Sequence, residues 1–248
     1  MSWYREFLLI LSSWIFLSCH AQIPSYIHLC HRNDPKLKEC IIDSIETLRP
    51  KLKEGIPEIN VPPIEPLPLE EIKLRSGPNS AQINANFTNV QVWGISKLVI
   101  QDIQVNLPKQ VFLVHLLLPK LYFTGDYDIN LNVLILKYAG QGTFSGNFSN
   151  YIIDLTLKYD LKNKNGKEYM NFPKVKLKFT QGKSKLFLDG LHNDDTQLIK
   201  GLSQVLDENT DIFLKEVLPV LEKGISERLT KIANNIVSSF PYDELFLL

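Results

Sequence analysis

The feature that most constrains this chain is a two-residue alternation of apolar and polar side chains through the middle of the sequence. Residues 151–161 place Tyr, Ile or Leu at every odd position and mostly polar residues at the even positions. Residues 127–135 and 174–179 alternate in the same way. Because successive side chains of a β-strand point to opposite faces, this pattern predicts long strands with one apolar and one polar face.

The alternating segments follow one another closely, which is typical of an antiparallel meander. Residues that favour tight turns lie between several of them, at Gly77-Pro78-Asn79, Gly140-Gln141-Gly142, Asn163-Lys164-Asn165-Gly166 and Gln181-Gly182. We therefore predict a β-region over residues 69–190. Its strands are expected at residues 69–75, 80–87, 89–93, 97–107, 110–118, 121–138, 141–148, 150–161, 168–180 and 183–189.

A long helical pattern follows over residues 193–240. Apolar residues from Leu198 to Val237 recur at three- and four-residue spacing, with capping residues at 193–195 and a bend expected at Pro219. About 45 helical residues would span roughly 65–70 Å, too long for a compact domain. A coiled coil is the alternative, but strict heptads are absent. We predict an α+β fold in which the long antiparallel sheet wraps around this helix as an elongated, barrel-like body.

A shorter helix and a proline-rich segment precede the β-region. Pro35 suits a first helical turn, apolar residues from Leu37 to Leu48 have helical spacing, and Gly55 can end the helix. Residues 56–68 contain five prolines, which favour an extended path. Ile, Val and Leu alternate with these prolines, so we expect the segment to lie against the core rather than to link two domains.

The first residues have the features of a targeting segment. Residues 7–19, FLLILSSWIFLSC, carry no charge and are too few for a comfortable membrane span, which needs about 20 residues. They fit the core of a secretory signal peptide with cleavage after Ala21; a membrane anchor is the alternative. We predict a signal peptide at residues 1–21 and one secreted, extracellular domain at residues 22–248, without stable membrane insertion.

Two cysteines remain after this cleavage, Cys30 and Cys40. An even pair in an oxidising compartment predicts a disulfide, here one that ties the entry segment to the first helix. Two free thiols are one alternative, and a metal site built from His28, Cys30 and His31 is another. We expect the disulfide, no metal and no cofactor.

Two sequons agree with a secreted protein: Asn86-Phe87-Thr88 and Asn147-Phe148-Ser149. Both asparagines fall on the polar faces of their predicted strands, opposite in phase to the neighbouring phenylalanines. We therefore predict N-glycans at Asn86 and Asn147.

Charge and motifs argue against two classes of function. The chain has 27 Lys and Arg against 27 Asp and Glu, so its zero net charge provides no attraction to nucleic acid. The nucleophile elbow Gly-x-Ser-x-Gly is absent, because Gly142-Thr143-Phe144-Ser145-Gly146 has its serine one place late. We interpret His115, which lies in a run of Leu and Val, as structural. We predict no enzymatic activity and no catalytic residue.

Three segments carry a resemblance to a known family: Gly55–Leu67 (GIPEINVPPIEPL), Leu186–Gly190 and Phe240–Phe246. With the cysteine pair and the long C-terminal helix, they resemble the insect takeout / haemolymph juvenile-hormone-binding family over nearly the whole mature chain. One departure is Asn209-Thr210, where that family commonly has an Asn-Trp pair.

The resemblance implies a tubular lipid-binding (TULIP-like) fold with an apolar tunnel between sheet and helix. It also implies a carrier of a small hydrophobic ligand, such as juvenile hormone, another terpenoid or a fatty-acid-like lipid. Several members of that family follow the circadian clock and affect feeding or behaviour. We expect a monomer in haemolymph-like fluid.

Candidate ligand-binding residues are aromatic. Tyr127, Tyr151 and Tyr159 are in phase with the apolar faces, and each has a hydroxyl for an ester, epoxide or acid. The other candidate wall residues are Trp93, Phe112, Phe144 and Phe179. The alternative for each residue is that it fills the core and bonds a carbonyl.

Two hypotheses follow for the function. The first is a soluble carrier with an enclosed apolar cavity. The second is a secreted interaction or signalling protein of the same fold, whose cavity is collapsed and whose partner is a receptor or another secreted protein. A lipid-transfer protein that touches membranes is a third. An enclosed apolar cavity distinguishes the first two, because empty apolar space is destabilising unless a ligand fills it.

Overall fold

The computed structural model describes residues 23–69, 71–76, 81–133, 136–180, 182–189 and 218–248. The predicted signal peptide, the predicted helix caps at residues 193–195 and the Asn209-Thr210 pair lie outside the described residues. None of the helices in the described ranges is both long enough and apolar enough to cross a membrane.

The N-terminal part contains the predicted disulfide and the predicted first helix. Strand β1 (Cys30–His31) precedes helix α1 (Leu37–Glu54). A disulfide joins Cys30 to Cys40, so the predicted pairing is confirmed. The helix ends at Gly55, whose φ of 90° lies in the region that favours glycine.

The proline-rich segment lies against the core, as predicted. It forms a short 3-10 turn at Pro57–Ile59. The apolar side chains of Ile56, Ile59 and Val61 are buried and form one cluster with Phe240 from the C-terminal part of the chain. Two of the segments that carry the family resemblance therefore pack directly against each other.

A curved antiparallel sheet of eight strands forms most of the described structure. Its strands are β2 (Leu67–Pro68), β3 (Ile72–Ser76), β4 (Ala81–Trp93), β5 (Val99–Asn106), β6 (Val111–Val133), β7 (Leu136–Lys164), β8 (Lys167–Thr180) and β9 (Lys183–Asp189). Strands β6 and β7 form a hairpin that pairs along almost its whole length. Strands β4 and β5 share the other side of β6, while β8 and β9 share the other side of β7.

The structure corrects one predicted turn. Gly140-Gln141-Gly142 lies inside β7, where Gly142 pairs with Tyr127 of β6. A Cβ atom on Gly142 would lie 2.1 Å from the Asp189 carbonyl oxygen and 2.9 Å from the Tyr127 hydroxyl oxygen. Strand β6 ends at Val133 and β7 begins at Leu136. Gly142 therefore makes room for a facing aromatic ring and does not turn the chain.

Two further pairs of the same kind lie beside this one on the inner face of the hairpin. Phe123 pairs with Gly146, and Gly125 pairs with Phe144. A Cβ atom on Gly146 would lie 2.5 Å from Cζ of Phe123, and one on Gly125 would lie 2.6 Å from Cε1 of Phe144. Because glycine lacks Cβ, each ring can lie over the backbone of the facing strand, which permits a sharp bend.

Several predicted strand breaks are changes of phase within continuous strands. The inner face of β6 continues from Leu118 to Leu121, and that of β7 from Phe148 to Tyr151. In β4 the register shifts after Thr88, where Asn89 has a φ of 52°. Each irregularity moves the following side chains to the opposite face.

The sheet is open, so the predicted barrel-like body is not a closed barrel. Within the described residues, no backbone pairing joins the edge formed by β2 and β3 to the edge formed by β8 and β9. The rest of the predicted fold, a long curved antiparallel sheet against a C-terminal helix, is confirmed.

Helix α2, helical over the described residues 218–237, covers the open edge of β8. Polar side chains spaced four residues apart on this helix bond the β8 backbone at Phe172, Val175 and Phe179. We call these side chains the polar ladder: Glu222, Ser226, Thr230 and Asn234.

Asn234 makes the most complete contact of the polar ladder. Its Oδ1 accepts a hydrogen bond from the Phe172 N–H at 2.8 Å, and its Nδ2 donates one to the Phe172 carbonyl at 2.8 Å. The side chain thus replaces both hydrogen bonds of a neighbouring strand. At Val175, Thr230 accepts from the N–H at 2.9 Å and Ser226 donates to the carbonyl.

The C-terminal residues return to the start of the described chain. Helix α3 (Tyr242–Leu245) leads into strand β10 (Phe246–Leu247), which pairs in parallel with β1. Arg32 forms an ion pair with Asp243. The disulfide therefore anchors both ends of the described structure to α1.

We expect Asn234→Ala to lower the free energy of unfolding by about 2–4 kcal/mol, because both backbone groups of Phe172 would lose their partner. Asn235→Ala is the matched control, since Asn235 is exposed on the same helix and should change stability by less than about 0.5 kcal/mol. Urea unfolding of both variants measures the difference. Equal stability of the two variants would show that the polar ladder does not hold β8.

Candidate functional site

An apolar cavity of about 250 Å³ lies between the sheet and α2. Helix α2 contributes Leu221, Ile225 and Leu229 to its wall. Among the described residues that line the cavity, only Ser184 and Lys185 are polar. An apolar cavity of about 150 Å³ in another protein stays dry and binds benzene, so this larger cavity suits a larger hydrophobic molecule.

The wall consists of rows of side chains that cross neighbouring strands. Leu116 of β6 pairs with Ile153 of β7, which pairs with Phe179 of β8. Ile153 and Leu116 are buried, and all three side chains line the cavity. The inward-facing side chains of three neighbouring strands therefore form one continuous apolar surface.

The turn after β4 forms another part of the wall through Ile95 and Leu98. Glu65, from the proline-rich segment, holds this turn. Its carboxylate accepts hydrogen bonds from the backbone N–H groups of Gly94 at 2.6 Å and Ser96 at 3.2 Å. Burial raises the pKa of Glu65, but these hydrogen bonds, helped by the charge of Lys53, hold the pKa below its ordinary value of 4.5.

The candidate residues fall in different places relative to this cavity. Phe144 and Phe179 line it. Tyr127 and Tyr151 are buried in the surrounding core, and their hydroxyls bond protein atoms. The Tyr127 hydroxyl donates to the Asp189 carbonyl at 3.2 Å, and the Tyr151 hydroxyl lies 2.6 Å from Oγ of Ser184.

Two further candidates belong to a second apolar cluster. Tyr159 and Phe112 stack with ring centroids 5.6 Å apart, and Phe112 also stacks on Phe246. Burial, with the nearby hydroxyl of Tyr242, raises the pKa of Tyr159. These rings close the end of the sheet next to the C-terminal segment and contribute no side chain to the described wall of the cavity.

Trp93 lies on the outer face of the sheet. The shift of register at Asn89 reverses the phase of β4, so Val92 points to the cavity and Trp93 points away from it. Its ring packs against the half-exposed Tyr122 at 5.8 Å between centroids. The prediction that Trp93 lines the wall is therefore wrong, because the shift of register at Asn89 turns its side chain to the outer face.

Sequence reasoning missed much of the aliphatic wall because it favoured aromatic residues. The described wall contains Leu and Ile side chains from β6, β7 and β8. Those that the strand phase alone identifies are Leu116, Leu118, Ile153, Leu155 and Leu177. The same alternation that predicted the strands was therefore the signal for the wall.

Comparison with known proteins agrees with this geometry. The sequence model of the haemolymph juvenile hormone binding protein (JHBP) family matches residues 7–247. The chain belongs to this family. It is 23% identical over 246 residues to the circadian clock-controlled protein daywake of Drosophila melanogaster, covering 95% of this chain and 94% of the relative. It is 21% identical over 226 residues to a proposed beta-carotene-binding protein of Schistocerca gregaria, covering 89% and 88%.

One solved structure shares the fold. Epiphyas postvittana Takeout 1 superposes with a TM-score of 0.73 at 20% sequence identity, over 90% of this chain and 100% of that chain. The curved sheet and its C-terminal helix are thus a takeout-like fold.

We expect Glu65→Gln to lower the free energy of unfolding by about 1–3 kcal/mol at pH 7, because a charged acceptor of two hydrogen bonds is lost. The folded pKa of Glu65 is lowered, so its stabilisation is present above its ordinary value of 4.5 and disappears as the pH falls through the folded pKa. Denaturation of both proteins from pH 7 to pH 3 should therefore show the difference shrinking below about pH 4.5. The exposed Glu168→Gln is the charge control; a pH-independent difference would contradict the role of the Glu65 carboxylate.

Proposed function

We propose that this protein is a secreted carrier that binds a small hydrophobic ligand in the cavity between the sheet and α2. The observation that supports this most is the cavity itself, which is about 250 Å³ and lined almost entirely by Leu, Ile, Val and Phe. Membership of the juvenile hormone binding protein family supports the same function.

The cavity offers affinity through burial of apolar surface. Each square ångström removed from water contributes about 25 cal/mol, so a ligand that buries about 300 Å² gains about 7.5 kcal/mol before the cost of association. Wall side chains that are already ordered keep that cost low. Non-covalent binding of this kind needs neither catalytic residue nor cofactor.

The ligand class that we propose is a terpenoid, such as juvenile hormone, or a fatty-acid-like lipid. The names of the family and of the Schistocerca relative, a proposed beta-carotene-binding protein, support a hydrophobic ligand of this general kind. One methylene changes binding by only about 1–3 kcal/mol, so the wall residues favour a class and not one compound. A link to the circadian clock is part of the proposal and is supported by the name of the daywake relative.

The alternative hypothesis, an interaction protein with a collapsed cavity, requires the wall residues to close on one another. The structure instead has open apolar space beside Leu155, Leu177 and Leu221. We therefore favour the carrier over the interaction protein.

Native mass spectrometry of the protein secreted from insect cells tests the carrier function. We expect a hydrophobic molecule bound at one per chain, released on denaturation and identified by its mass. An unliganded mass, together with no thermal shift from a panel of terpenoids and fatty acids, would favour the interaction protein.

A matched pair of variants locates the ligand in the cavity. Leu155 lines the cavity, whereas Leu113 is 41% exposed on the outer face of the same hairpin. Leu155→Trp should weaken ligand binding by about tenfold or more by filling the space, at a stability cost of about 1–3 kcal/mol. Leu113→Trp should leave binding unchanged, and equal loss in both variants would place the ligand elsewhere.

Secretion and glycosylation are tested by the mass of the same protein. We expect the chain to begin at Gln22, and Asn86 and Asn147 to be converted to Asp by peptide N-glycosidase. Asn147 lies on the outer face, paired with the half-exposed Tyr122, where a glycan has room. Retention of residues 1–21 would contradict the signal peptide, and an asparagine left unconverted would contradict the glycan at that position.

A further inference from the structure

A second cavity, of about 760 Å³, adjoins the apolar one. It lies between α2 and the proline-rich segment, whose Pro57 and Pro63 are among its lining residues. The two cavities share apolar wall residues from the start of the sheet and from α2: Leu69, Ile72, Leu221 and Ile225. An elongated molecule can therefore contact both.

The second cavity differs from the first in its chemistry. Polar and charged side chains make up a substantial part of its described lining: Asn60, Glu71, Glu227, Arg228, Lys231 and Asn235. The shared wall residues are apolar, whereas these polar side chains line only the second cavity. An apolar cavity next to a polar one matches a molecule with an apolar tail and a polar head.

Arg228 occupies an unusual position in α2. It lies three residues after Ile225 and four residues before Ile232, which puts it on the apolar face of the helix. Three residues correspond to about 4.5 Å along the axis, so the Cα atom of Arg228 lies less than one turn from that of Ile225, which lines the apolar cavity.

The Nε atom of Arg228 also lacks a hydrogen-bond partner within the described part of the chain. This atom is buried, and among the described residues no hydrogen-bond acceptor reaches it. A buried donor without an acceptor costs about 1–3 kcal/mol. An acceptor supplied by a ligand would recover this energy.

The described carboxylates that line the second cavity do not neutralise its positive side chains by ion pairing. Among the described residues, no carboxylate lies within ion-pair distance of Arg228 or Lys231. Glu71 is already engaged, since its carboxylate binds Lys73 at 2.7 Å and Asn86 at 2.7 Å. Glu227 is exposed on α2. The second cavity is thus lined by two cations without ion-pair partners in the described chain, Arg228 and Lys231, and by the solvent-exposed carboxylate of Glu227.

We propose that the second cavity binds the carboxylate head of an amphipathic lipid, such as a long-chain fatty acid, whose hydrocarbon tail occupies the apolar cavity. This inference rests on the proposed carrier function. A guanidinium group presents two parallel N–H donors that match a carboxylate, and Lys231 adds a second positive charge. A neutral ester offers acceptors but no charge, so the site should discriminate between an acid and its ester.

The test compares dodecanoic acid with methyl dodecanoate, which have the same tail. We expect the wild-type protein to bind the acid about 10- to 100-fold more tightly at pH 7.5, as charge-assisted hydrogen bonds imply. Arg228→Gln should remove most of this preference and leave the affinity for the ester within about threefold. Lys223→Gln, which removes the same charge at an exposed position of α2, should keep the preference. Isothermal titration calorimetry gives each affinity.

The outcomes separate the two proposals. Equal wild-type affinity for acid and ester, or an acid preference that survives Arg228→Gln, overturns the head-group site and leaves the carrier function standing. Failure of the wild-type protein to bind either probe also overturns the head-group site, whereas the carrier function is decided separately by the native mass spectrum and the terpenoid panel. The acid-to-ester affinity ratio of the wild type can be measured without any variant. If Arg228→Gln does not fold, Lys231→Gln is the second variant, and it should lower this ratio.

Discussion

The polar ladder of α2 is the contact on which the rest of the structure depends. A curved sheet that does not close leaves backbone groups unpaired along β8, and an unpaired edge is costly when buried and prone to association when exposed. Asn234, Thr230, Ser226 and Glu222 satisfy this edge with side chains. Because these hydrogen bonds fix the helix at a set distance from β8, its apolar residues need not collapse onto the sheet. Space between helix and sheet can therefore persist.

The shape of the sheet has a complementary cause in the β6–β7 hairpin. Three aromatic rings lie over glycines of the facing strand, at Gly125, Gly142 and Gly146. A larger residue at any of these positions would clash with the facing ring, and at Gly142 and Gly146 also with the backbone of β9. The hairpin can thus curve around α2 while its aromatic side chains stay in the wall or the surrounding core. Curvature and cavity arise from the same residues.

The sequence predicted the fold well wherever a single local pattern controlled it. Alternation identified the inner faces of β6, β7 and β8, and the two cysteines left by the predicted cleavage identified the disulfide. Prediction from the sequence failed where one residue type is compatible with two local structures. Gly142 suits a turn or a facing ring, and only its pairing with Tyr127 decides. Asn89 absorbs a shift of register that sends Trp93 outward, and Tyr159 is in phase with the wall but lies too far along β7 to reach the cavity.

In the proposed carrier, the apolar cavity contributes affinity and the second cavity contributes selectivity. Apolar burial beside Leu155 and Phe179 contributes free energy in proportion to area, and it distinguishes one hydrocarbon from another by little. Polar groups distinguish strongly, because a buried donor left unpaired by the wrong ligand costs more than a missing methylene. An arginine on the apolar face of α2 lowers the stability of the fold if its buried donor stays unpaired. The proposed head-group site therefore gives Arg228 a role that the packing of the fold does not.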